Sequence, residues 1–110
     1  MTLLTQTCRA NAAALDAGDI AALLPQVPAW TIADGKLQRS FAFRNYYDTM
    51  AFVNALAWIS HHQDHHPELI VTYKECAVRY NTHSAGGALS DNDFICAARA
   101  DALYAQRGGA

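Results

Sequence analysis

This 110-residue chain has little charge, few cysteines and no long apolar run. Only 16% of its residues are charged and the formal net charge is -2, which gives no basic surface for phosphate backbones, so we expect no nucleic-acid partner. The three cysteines are widely spaced without a Cys-x-x-Cys pair, which indicates neither a disulfide framework nor a zinc knuckle and predicts reduced thiols. No segment approaches the roughly 20 apolar residues of a membrane span, and the first residues lack a signal-peptide pattern. We therefore expect a cytoplasmic protein without membrane contact.

The chain is rich in histidine at one place. Four of its five histidines lie between positions 61 and 66, and the fifth is His83.

The length fits a single domain over residues 1–110. Residues 1–14 are small and polar without an apolar period, which predicts a loosely attached arm.

The periodicities predict three helices and two β-hairpins. The helices are expected over about 17–26, 46–63 and 91–106, each beginning after a capping residue: Asp16, Asn45 and the Ser90-Asp91 pair. The first hairpin turns at Asp34-Gly35, a pair typical of type I′ turns, and the second is predicted to turn at Lys74-Glu75. This order predicts an α+β fold, αββαββα, with a four-stranded antiparallel sheet and helices packed on one face.

The long middle helix carries apolar residues on more than one side. The side predicted to face the sheet comprises Tyr46, Met50, Val53 and Ala57 and can extend to Tyr47, Leu56 and Ser60. Phe52, Trp58 and Ile59 are predicted to point partly elsewhere. Two interpretations remain open: this surface is buried against a second subunit, or the sheet and neighbouring helices cover all of it. Pro67 is expected to stop the helix.

The histidine cluster has three possible uses. On a helix, His61 and His65 would be i and i+4, as would His62 and His66, and such a pair can present ligands to zinc, with Asp64 or His83 completing the set. The cluster can also be a surface feature without function. The third use is proton transfer, since imidazole titrates near neutral pH.

Strand pairing favours proton transfer, because it returns a further histidine to the cluster. If the second hairpin turns at Lys74-Glu75, residue 82 lies opposite residue 67, and His83 comes back beside His65 and His66. Three imidazoles at one place can donate one proton and accept another.

The histidines and the residues after them follow one spaced pattern. It reads His61, three residues, His65-His66-Pro67, five residues, Tyr73, nine residues, His83 and then Asp93. This pattern resembles the signature of the pterin-4a-carbinolamine dehydratase family, and segments such as 41–46 and 89–93 are also similar to that family. Leu69 departs from it, because many members have tryptophan there.

The resemblance implies a hydro-lyase that converts a 4a-hydroxytetrahydropterin to the quinonoid dihydropterin without metal or cofactor, and so recycles the pterin of phenylalanine hydroxylase. It implies catalysis by three residues, with His65 and His83 as the acid/base groups and His66 also orienting the pterin. The substrate-binding set is expected to be His61, His66, Asp64 and Pro67, with His61 tuning His65. Asp93 matches the motif aspartate, although its carboxylate also suits a helix cap.

The resemblance also implies assembly as homodimers or as tetramers made of two dimers. Some members of the family lack the catalytic histidines and serve in binding or assembly, so the alternative function is a non-catalytic interaction module, such as a transcriptional coactivator or an enzyme-assembly factor. All three histidines are present here, which favours the enzyme.

Overall fold

The computed structural model describes residues 2–106, where three α-helices and four strands follow one another. In chain order they are α1 (Ala17–Leu23), β1 (Thr31–Ala33), β2 (Lys36–Ala42), α2 (Tyr46–Gln63), β3 (Glu68–Val71), β4 (Glu75–Tyr80) and α3 (Asp91–Ala105). The strands form one antiparallel sheet in the order β1-β2-β4-β3. The predicted α+β class is therefore confirmed. No helix in this part of the chain is long and apolar enough to cross a membrane.

One face of the sheet is covered by α2 and α3. Buried residues alternate along the two central strands, as expected for a sheet with one solvent-exposed face. They are Leu37 and Phe41 on β2, and Cys76, Val78 and Tyr80 on β4. Arg39 shares the buried side of β2, and its guanidinium lies 4.3 Å from the Phe41 ring centroid and 2.7 Å from Asp101. That ion pair accommodates the charge at the edge of the core.

The first hairpin has the predicted turn. Ala33 pairs with Lys36, and the two residues between them, Asp34 and Gly35, have φ of 52° and 75°. A type I′ turn requires positive φ at both positions, which aspartate tolerates and glycine adopts freely.

The second hairpin turns one residue earlier than predicted. Its innermost pair is Val71 and Cys76, and the Thr72 N–H donates to the Glu75 carbonyl at 2.9 Å, so the turn centres on Tyr73-Lys74. The prediction of Lys74-Glu75 was wrong because Glu75 enters the strand. Continuing this register, position 67 lies level with position 80 rather than 82.

The long helix α2 ends at Gln63, as predicted, but Pro67 is not what ends it. Asp64 adopts the left-handed conformation (φ 50°, ψ 43°), its N–H donates to the His61 carbonyl, and the next N–H, of His65, donates to Ser60. This is a Schellman-type ending, which aspartate can support in place of glycine. His65 therefore lies beyond the helix, so the predicted i, i+4 pairs of histidines on one helix were wrong.

The face of α2 buried within the chain overlaps the predicted one only at Leu56 and Ser60. It consists of Thr49, Phe52, Leu56 and Ser60. Tyr46, predicted to face the sheet, is 54% exposed. The orientation of the helix places Phe52 against Phe41 and Phe43. The centroid of the Phe52 ring lies 4.8 Å from that of Phe41 and 5.2 Å from that of Phe43.

The amino-terminal segment, predicted to be a loose arm, lies against the body of the protein. Leu3 and Ala12 are buried at 3% and 5% exposure. Backbone groups of the segment bond to distant side chains, including Gln26 with Leu3 and Arg99 with Gln6. These single long-range hydrogen bonds, rather than an apolar period, place the segment.

Candidate active site

A cleft of about 320 Å³ opens where the end of α2, the loop after β4 and the amino-terminal segment meet. Its lining residues are Arg9, Ala10, Asn11, Asp64, His65, His66, Asn81, Thr82, His83, Ser84 and Asn92. Four residues expected at the site, Asp64, His65, His66 and His83, thus lie around one opening. The volume lies at the small end of the range for small-molecule sites, which begins at roughly 300 Å³.

His65 is held from behind by a buried carboxylate. Its Nε2 lies 2.6 Å from Asp93 Oδ1, and the two side chains are 9% and 0% exposed. The imidazole also lies parallel to the buried Tyr80 ring, at 11° between planes and 5.8 Å between centroids. Burial raises the pKa of Tyr80 well above its usual value, so this ring is a neutral wall.

Asp93 has two tasks. Its Oδ2 accepts from the Thr82 hydroxyl at 2.8 Å and from the Ser90 N–H at 2.9 Å, the second of which completes the capping box of α3. The Ser90 hydroxyl lies 2.7 Å from Thr82 and continues the network. With Asp93 as a carboxylate, which only accepts hydrogen bonds, this contact assigns the proton to Nε2 of His65 and leaves Nδ1 free of the contact. The capping role and the motif role predicted for Asp93 are therefore compatible.

His66 and His83 line the same cleft but are exposed. His66 lies in the short segment between Asp64 and β3, while His83 begins a short 3-10 turn (His83–Ala85) that follows β4. That turn closes at Gly86, whose φ of 70° lets its N–H donate to the His83 carbonyl. His83 thus reaches the cleft through the loop after β4, and not through the strand register used to predict it.

Two of the predicted binding residues do not line the cleft. His61 is exposed on the last turn of α2, and its ring lies 5.5 Å from that of His62. The side chain bonded to His65 is that of Asp93. Pro67 is half-buried where the chain enters β3. His62 points outward and stacks on Trp58 at 3.9 Å.

One wall of the cleft was missed by sequence reasoning. Arg9, Ala10 and Asn11 belong to the segment predicted to be loose. The Asn92 side chain fixes this wall in both directions: its Oδ1 accepts from the Arg9 N–H at 3.0 Å and its Nδ2 donates to the Arg9 carbonyl at 2.8 Å. No local signal reveals such contacts between residues 83 positions apart. Thr82 and Ser90 were visible only as parts of a strand end and a helix cap.

Among residues 2–106, no three His, Cys, Asp or Glu side chains lie close enough together to form a metal site.

Named proteins share much of this sequence. Residues 13–103 match the sequence model of the family described as pterin 4 alpha carbinolamine dehydratase. A protein of Stenotrophomonas maltophilia, named provisionally as a pterin-4-alpha-carbinolamine dehydratase, is 61% identical over 89 residues, which are 79% of this chain and 76% of the relative. A protein of Nitrosomonas europaea with the same provisional name is 51% identical over 98 residues, 88% of this chain and 86% of that one.

A solved structure agrees on the fold. The crystal structure titled transcriptional coactivator/pterin dehydratase, from Brucella melitensis, superposes with a TM-score of 0.78 at 25% identity and covers 83% of this chain and 98% of that one. The family match spans the strands, the cleft histidines and Asp93, and the two relatives align with 79% and 88% of the chain. On these grounds the chain belongs to the pterin-4a-carbinolamine dehydratase family.

Proposed function

We propose that this protein dehydrates a 4a-hydroxytetrahydropterin to the quinonoid dihydropterin by histidine acid/base catalysis, and thereby recycles the pterin used by phenylalanine hydroxylase. The observation that carries the proposal is the convergence of His65, His66 and His83 on one cleft, with His65 oriented by the buried Asp93. Family membership supplies the substrate class.

The reaction requires two proton movements. A proton leaves a ring nitrogen of the pterin, and another reaches the 4a-hydroxyl so that it departs as water. His65 and His83 take these two tasks, since both line the cleft and imidazole exchanges protons near neutral pH. Asp93 occupies Nε2 of His65, so Nδ1 is the nitrogen through which His65 acts.

The remaining predicted residues bind or position. His66 and Asp64 line the cleft and provide polar groups that hold and orient the pterin. Pro67 positions His66 through the backbone that leads from His66 into β3. His61 does not line the cleft, so its part in binding is indirect and comes from the end of α2. Leu69 on β3 provides no aromatic surface for stacking.

The direct test measures the lifetime of the carbinolamine. Phenylalanine hydroxylase generates the 4a-hydroxytetrahydropterin, and its absorbance is followed with and without the purified protein. We expect faster decay, with general acid–base catalysis contributing roughly 10²- to 10⁴-fold. Decay at the spontaneous rate would refute the proposal.

We further propose that the protein is a homodimer, or a tetramer of two dimers, through the outer face of α2. Tyr47 and Trp58 on this helix are 80% and 63% exposed, and apolar side chains of that size are seldom left in water together. Sedimentation of wild type and of Trp58→Lys tests this assembly, because a charge in the interface should shift the equilibrium to monomer. A wild-type monomer that is inactive on pterin and forms a stoichiometric complex with another protein would instead favour a coactivator or assembly factor.

A further inference from the structure

Two of the three cysteines lie side by side at the edge of the cleft wall. Cys8 Sγ is 3.5 Å from Cys96 Sγ, although the residues are 88 positions apart in the chain. Cys96 is buried on α3 and Cys8 is half-buried on the amino-terminal segment. The third cysteine, Cys76, is buried on β4, and its sulfur contacts a backbone carbonyl at 4.0 Å.

Hydrogen bonds keep the two thiols together. The Cys8 N–H donates to Gln63 Oε1 at 2.8 Å, which ties this residue to the end of α2. The Cys8 thiol also contacts the Asn92 carbonyl at 3.7 Å, and the following residue, Arg9, is bound in both directions by the Asn92 amide. A disulfide requires the sulfurs to approach to about 2.05 Å, which is a small movement from 3.5 Å for a side chain on a segment without strand pairing.

The two thiols differ in acidity, and Cys8 is the more acidic of the two. The hydrogen bond from Cys96 lowers the pKa of Cys8, and the nearby His65 and Arg99 lower it further against the opposing effects of burial and of Asp93. The same bond and burial raise the pKa of Cys96, aided by Asp93 and opposed by Arg99. Cys8 is also the more exposed of the two thiols, so it is the one that a dissolved oxidant would reach first, with Cys96 placed to resolve the product.

We propose that Cys8 and Cys96 form a reversible redox pair, which a peroxide oxidises to an intramolecular disulfide. The Cys8 thiolate attacks a peroxide oxygen, the O–O bond breaks, and a sulfenic acid forms while the other oxygen leaves as hydroxide and takes up the proton that Cys8 had lost, giving water. The Cys96 sulfur then attacks the Cys8 sulfur, the S–O bond breaks, and the hydroxide leaves as water with the Cys96 proton. Two thiols lose two electrons and one hydrogen peroxide becomes two waters; a dithiol reductant reverses the change.

The disulfide would fasten one wall of the cleft to α3. Arg9 directly follows Cys8 and Asn11 lies three positions after it, and both line the cleft. Cys96 lies one turn after Asn92 on the helix. Oxidation therefore adds a covalent bond to the backbone hydrogen bonds that hold this wall. This inference concerns the thiols alone and stands apart from the proposed dehydration.

Trypsin makes the test direct, since it cleaves after lysine and arginine and leaves each cysteine in a different peptide: 1–9, 75–79 and 80–99. Full-length protein is treated with one equivalent of hydrogen peroxide, the remaining thiols are blocked, and the digest is analysed by mass spectrometry without reductant. We expect peptides 1–9 and 80–99 to be joined, with the loss of two hydrogen atoms. The joined peptide should persist in Cys76→Ala, be absent in Cys8→Ser and Cys96→Ser, and disappear after dithiothreitol.

A second readout follows the intact fold. The oxidised wild type should melt at a temperature roughly 5 to 15 °C above the reduced protein, because the cross-link restricts a long loop of the unfolded chain. Cys8→Ser should show no such rise with peroxide. Oxidation of Cys8 to a sulfinic acid without the joined peptide, a bond to Cys76, or a disulfide only between two chains would each overturn the proposal.

Discussion

His65 and His83 line the same cleft, yet the protein holds them in opposite ways. His65 is 8% exposed and bonded to a carboxylate that itself accepts two further hydrogen bonds, whereas His83 is exposed on a short turn. One imidazole is oriented before any ligand arrives, and the other is oriented by its loop and by what binds. Changes on the buried side should therefore lower both stability and activity, while changes on the exposed side should lower activity alone.

The largest effect is expected for Asp93→Ala. This substitution leaves the Thr82 hydroxyl, the Ser90 N–H and His65 Nε2 without their acceptor. Breaking such a buried charged network costs about 3–5 kcal/mol of unfolding free energy, and His65 loses its orientation. Urea unfolding and the carbinolamine assay measure the two losses. Asp93→Asn is the matched control: it keeps the shape and should recover part of the stability, but the amide can present a donor to Nε2, so activity should stay low.

The next effect is that of His65→Ala. Activity should fall roughly 10²- to 10⁴-fold, and stability should fall by about 1–3 kcal/mol because the buried carboxylate loses a donor. Kinetics and urea unfolding on the same preparation test both parts. An activity loss with unchanged stability would mean that the bond to Asp93 contributes nothing to the fold, and the contrast with His83 would fail.

His83→Ala should separate the two quantities. We expect a rate loss of roughly 10²-fold or more, with the unfolding free energy changed by less than about 0.5 kcal/mol, as for other exposed positions. Thermal melts should therefore overlay those of the wild type. A destabilised variant would show that His83 supports its loop rather than the reaction.

The smallest effect is expected for His62→Ala. This histidine lies beside the cluster in sequence but stacks on Trp58 outside the cleft. Activity should remain within roughly two-fold of the wild type, since no proton transfer depends on it. A loss comparable to that of His83→Ala would show that the site extends beyond this cleft to His62.

Local chemistry decided which elements could be predicted from sequence. Asp16 and Asn45 each accept from the N–H three residues on, and Ser90 forms the predicted capping box, so all three helices begin where expected. The Asp34-Gly35 turn is equally local. The Tyr73-Lys74 turn carries no glycine, so its position had no such signal, and the end of α2 depended on an aspartate that adopts a conformation usually left to glycine.

The candidate site, like the fold, could be predicted from the sequence only in part. The spacing of the histidines and Asp93 marked one group of residues, and the structure brings Asp64, His65, His66 and His83 to one cleft. The wall from Arg9 to Asn11 was invisible because single hydrogen bonds to Gln63 and Asn92, far along the chain, hold it in place. Contacts of that kind have no period and no local pattern.

The shared carboxylate of Asp93 makes the start of α3 part of a thermodynamic linkage. Any ligand that binds His65 only in its oriented form must also stabilise the capped first turn of the helix, by RT ln(1 + [L]/Kd) when binding is restricted to the folded state. Amide hydrogen exchange in the first turns of α3 would then slow as the ligand is added. The exchange rate at the start of α3 would therefore report how much of the cleft is occupied by ligand.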